Sequence, residues 1–68
     1  MKSLIEKNKK AAKHLEEAAK HHQEAAKHHE EGQADKAHQS TLKAHGHTEH
    51  ALEVQKEIVK EHSIDKKH

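Results

Sequence analysis

The sequence predicts an all-α fold: an antiparallel helical hairpin, built as an alanine-rich coiled coil and dimerising into a four-helix bundle. Three observations predict it. The 68 residues contain no Pro and only two Gly, and Ala, Lys, Glu and Gln dominate, which is the composition of long helices. One of those glycines, Gly32, sits between two long helix-forming stretches. The third observation is a seven-residue unit that recurs almost unchanged, as KAAKHLE (10 to 16), EAAKHHQ (17 to 23) and EAAKHHE (24 to 30).

The first helix is predicted over residues 4–31. Ser3 and Glu6 have the S-x-x-E spacing of a capping box, and Gly32 can take the left-handed conformation that ends a helix. A turn at 32–33 leads to a second helix over 34–62, with SIDKKH (63–68) as a fraying tail. The whole chain is one domain, and the short connection makes the helices antiparallel. Folding about Gly32 and Gln33 sets residue i opposite roughly residue 65 − i.

The repeat fixes the heptad. With Leu4, Ala11, Ala18 and Ala25 at position a, b holds Ile5, Ala12, Ala19 and Ala26, d holds Lys7, His14, His21 and His28, and e holds Asn8, Leu15, His22 and His29. Helix two carries Ala37, Ala44, Ala51 and Ile58 at a, with His38, His45, Leu52 and Val59 at b. Positions d, a, e and b form one continuous sector at 100° per residue, so this sector is the predicted inward face. Small residues at a allow the helices to approach closely. Leu4, Ile5, Ala11 and Leu15 then face Leu52, Val54, Ile58 and Val59 as an apolar plug at the open end, and imidazoles gather nearer the turn. Gly46 falls at c, on the outside, where it can mark a kink.

Composition excludes several functions. There is no Cys, hence no disulfide, thiolate zinc site, iron–sulfur cluster or cysteine nucleophile. With no Phe, Trp or Tyr and 29% apolar content, the core is thin and a partner chain is expected. No segment approaches a membrane span, and the N-terminus lacks a signal-peptide apolar region, so a cytoplasmic location away from membranes is expected. Thirteen Lys interleaved with twelve Asp and Glu do not make a nucleic-acid surface. No haem or nucleotide is expected, since nothing large and apolar is present to sandwich a macrocycle. No catalytic residues can be identified, because no hydroxyl, carboxylate pair or oxyanion donor set converges on one pocket.

What remains is eleven histidines. Neutral imidazole is a good ligand for Zn, Ni, Co and Cu(II). Within helix one the histidines recur at i,i+1 or i,i+7, directions that diverge or lie about 10 Å apart, so the second helix must complete any site. One site is predicted from His21 or His14 with His47 and His50, joined by Glu17. A second combines His22 and His45 with His29 and His38, and His28 lies on the same face. Glu17 and Glu24, each four residues before a histidine (His21 and His28), can ligate or orient a ring.

EAAKHHQEAAKHHEEG followed by KAHQSTLKAHGHTEHA resembles short alanine- and histidine-rich bacterial helical proteins of uncharacterised function, over about residues 10 to 52. That resemblance implies a bacterial cytoplasmic helical hairpin and carries no activity. Two readings follow from the histidines. The first is a homodimeric protein that binds a divalent transition metal for buffering or storage. Its alternative is a pH-responsive interaction protein: protonating every histidine would raise the net charge from +1 to +12 and drive the helices apart near pH ~6.5.

Overall fold

The computed structural model describes residues 2–66, with side chains described through Glu61. It contains two helices, α1 (Lys2–Glu30) and α2 (Ala34–Lys66), folded back on one another as a hairpin of 56 × 14 × 11 Å. Helix α1 begins before the predicted capping position. Ser3 lies inside the helix, and its hydroxyl donates to Glu61 Oε2 at 3.4 Å instead of capping the N-terminus. Helix α2 continues past His62 through the first part of the predicted tail, while Lys67 and His68 lie outside the described residues.

The turn is a Schellman closure. Gly32 adopts φ 75°, its N–H donates to the His29 carbonyl at 3.0 Å, and the Gln33 N–H donates to the His28 carbonyl at 2.8 Å. Without Gly32 the last carbonyls of α1 would lose these partners. The Gln33 carbonyl then accepts from the Ala37 N–H at 3.0 Å, which starts α2 at once. Lys27, His28 and His29 at the end of α1 and Asp35 at the start of α2 complement the two helix dipoles. Through Gly46 the helix runs unbroken, so this residue marks no break.

The core is a seam of small side chains. Ala11, Ala18 and Ala25 from α1 meet Ala37, Ala44 and Ala51 from α2, joined by Ser40 and Val54, and all are buried. Cross-helix contacts of Ser3 with Glu61, Lys7 with Glu57 and His14 with His50 each fall within one residue of the predicted pairing. At the open end Lys7 Nζ bridges Glu61 at 2.9 Å and Glu57 at 3.4 Å. The hydrogen bond from Lys7 is the main reason the Glu61 carboxyl lies below its ordinary 4.5. The same bond raises the Lys7 ammonium above 10.5.

The inward face is narrower than the heptad predicts. Positions b are exposed on both helices, including Ile5, Leu52 and Val59, and Leu15 at e is exposed as well. Two helices in one layer bury only the strip along their contact line, and a broader sector needs further helices to cover it. The predicted plug therefore splits. Ala11 and Val54 are buried and Leu4 and Ile58 half-buried, whereas Ile5, Leu15, Leu52 and Val59 face outward at 53%, 43%, 50% and 65% exposure.

Candidate metal centre

In an antiparallel pair the d and g positions of both helices share one flank of the seam. Position d of α1 supplies His14 and His21, and g supplies Glu17; α2 supplies His47 from d and His50 from g. His14, Glu17, His21 and His47 stay half-buried because the alanines at a hold the backbones close while the d side chains lie over the contact line, whereas His50, further out at g, is exposed.

His47 sits between the levels of His14 and His21 and touches both. Its ring lies 5.6 Å from that of His21, within 10° of parallel, and 5.4 Å from that of His14. His14 also stacks on His50 at 5.2 Å. His14 Nδ1 and His47 Nδ1 are 3.1 Å apart. Desolvation, then the neighbouring His50 and His47, lowers the His14 pKa below 6.5.

Glu17, His21 and His47 form the one group of three potential ligands, among the described residues, whose donor atoms all lie within 4.8 Å of one another. All three side chains are half-buried. A zinc ion bound at ~2.0 to 2.2 Å to each would bring tetrahedral donors to about 3.3 Å separation. Side-chain rotations on the half-exposed flank would have to supply that closure. The donors are two imidazoles and one carboxylate, a set compatible with borderline divalent metals.

The remaining predicted ligands are not gathered in this way. His22, His29, His38 and His45 are exposed on the opposite flank, and no second cluster of three potential ligands appears among the described residues. They follow the outward b positions and the outer edge of e, which the narrow seam leaves in solvent. His28 is half-buried near the turn, with Nδ1 at 3.2 Å from Gln33 Oε1 and 3.7 Å from Glu31.

The pairing of carboxylates with imidazoles also departs from the sequence expectation. Glu24 reaches back to His21, Oε1 to Nδ1 at 2.8 Å, rather than forward to His28. Glu31 likewise reaches back to His28, and Glu49 reaches back to His45 at 3.0 Å. The cause is helix geometry. Each Cα–Cβ bond tilts toward the helix N-terminus, so a glutamate one turn downstream leans over the histidine before it. The hydrogen bond with His21 is also the main cause of the Glu24 carboxyl lying below 4.5.

No helix among the described residues is long and apolar enough to cross a membrane. No protein-family model, curated protein or solved structure matches this chain.

Proposed function

We propose that this chain binds a late first-row transition metal, Zn, Ni, Co or Cu(II), through Glu17, His21 and His47, and that it serves in cytoplasmic metal buffering or storage. The observation that carries the reading is the convergence of these three donors from two helices onto one half-buried point. His14 and His50 adjoin that point as a contiguous imidazole row. In the same proposal the hairpin pairs with a second copy. The outward Ile5, Leu15, Leu52 and Val59 lie on the flank opposite the metal site, where another hairpin would cover them and complete a four-helix bundle.

A second reading is favoured by the contacts of His14. Protonating its ring, or the rings of His47 and His50 against it, places like charges in one partly desolvated row. The protein would then be a proton-responsive helical interaction module. Thermal unfolding at pH 7.5 with and without a chelator separates the two. For a protein loaded with zinc at about 100 times Kd, removal of the metal costs about 2.7 kcal/mol and lowers Tm. An unchanged Tm across zinc-loaded and chelated samples removes the metal reading.

A further inference from the structure

We infer that Glu24 and His14 are positioning residues of the metal centre, each holding the Nδ1 edge of a ligand histidine so that Nε2 is the nitrogen that binds metal. The inference rests on the proposed metal site and adds its donor atoms and its supporting shell. Of the two carboxylates one turn either side of His21, only Glu24 makes a hydrogen bond to its ring, at Nδ1 and 2.8 Å. A carboxylate at that atom accepts the Nδ1 proton. The ring is then fixed as the tautomer whose lone pair is on Nε2, and His21 leans N-terminally, toward Glu17. Glu24 thus orients the ligand, and Glu17 shares the metal.

The same logic applies across the seam. His14 Nδ1 lies 3.1 Å from His47 Nδ1, and in a neutral pair one nitrogen donates the proton that the other accepts. With His47 as donor, its Nε2 lone pair is free to ligate and its ring is anchored to α1. His50 stacks on the His14 ring, with centroids 5.2 Å apart. Two ligand imidazoles therefore have their second nitrogens engaged, the arrangement by which outer groups fix tautomer, aim the lone pair and raise ligand basicity.

The test uses the full chain labelled with ¹⁵N-histidine at pH 8, titrated with zinc chloride and observed through long-range ¹H–¹⁵N correlations, with Kd measured in parallel. His21 is expected as the Nδ1–H tautomer before zinc, and zinc is expected to shift Nε2 of His21 and His47. Glu24→Ala and His14→Ala should each weaken zinc binding by about 10- to 100-fold at unchanged helicity. Glu24→Gln should keep most of the affinity, because its amide oxygen accepts the same proton. Glu31→Ala removes a comparable pair at His28, outside the cluster, and should leave Kd unchanged. A wild-type chain that binds zinc while Glu24→Ala binds it equally well overturns the inference alone. Zinc coordination at a His14 nitrogen overturns the role given to His14. A wild-type chain that takes up no zinc overturns the metal reading and this inference together.

Discussion

His14 Nδ1 and His47 Nδ1 face each other at 3.1 Å across the helix seam, so one proton links the two helices there. A second proton on this pair converts a hydrogen bond into a repulsion. In the proposed function, both the acid response and the metal response of the hairpin start from this contact.

The metal-free protein should lose stability as pH falls below 6.5. His14 has its pKa lowered, chiefly by desolvation. The unfolded chain therefore binds the proton more readily between the folded and unfolded values. Stability from this group is complete above the unfolded value and is lost as pH drops through the folded one. Melting curves with chelator from pH 8 to pH 5 should show Tm falling, and His14→Gln should flatten that fall. Zinc should move the acid transition lower, because protons and metal compete for the same nitrogens.

A further acid loss belongs to the open end. The Glu61 carboxyl lies below 4.5 because Lys7 donates to it, so its contribution is present above the unfolded value and disappears as pH falls through the folded one. Glu61→Gln should reduce the part of the acid transition below pH ~4.5, where the lowered Glu24 carboxyl also contributes, and leave the histidine part intact.

The two glycines should respond to alanine with opposite signs. Gly32 holds φ 75°, where a Cβ costs roughly 1 to 2 kcal/mol, so Gly32→Ala should lower Tm. Gly46 lies in a regular helix with nothing within 4 Å of an added Cβ. Gly46→Ala should stabilise the hairpin by about 1 kcal/mol, measured by urea denaturation. An unchanged Tm in Gly32→Ala would contradict the turn geometry, and a loss in Gly46→Ala would contradict the open helical position of that residue.

Much of this architecture is legible in the sequence, because it depends on local chemistry. Gly32 ends α1 by its left-handed conformation, α2 begins at Ala34, and the seven-residue repeat puts Ala11, Ala18 and Ala25 on the buried line. The level of His47 between His14 and His21 follows from folding about that turn. The width of the buried face was not legible, since it depends on how many helices pack together, and a b position such as His45 or Leu52 is outside in a pair and inside in a bundle. Nor does spacing alone decide between Glu17 and Glu24 as the partner of a given ring. The N-terminal tilt of helical side chains decides it, and that signal is available from sequence once it is applied.

The outward aliphatic flank should drive association. Sedimentation of the wild type at tens of micromolar, pH 8 and metal-free, is expected to show a dimer, and Leu52→Lys with Val59→Lys should return it to a monomer. Both residues are exposed in the hairpin, so their replacement leaves the buried seam of each chain intact.

The most direct test of the account is calorimetric titration of zinc into the metal-free chain at pH 7.5, comparing the wild type with two double variants. His21→Gln with His47→Gln removes both imidazoles of the cluster, and His28→Gln with Glu31→Gln removes an imidazole and a carboxylate that pair outside the cluster, away from the flank proposed to dimerise. The account predicts saturable binding in the wild type. The loss in the first variant should exceed the 10- to 100-fold typical of an orienting partner, with little change in the second. Equal losses in both variants, or a wild type that binds no zinc, would contradict it.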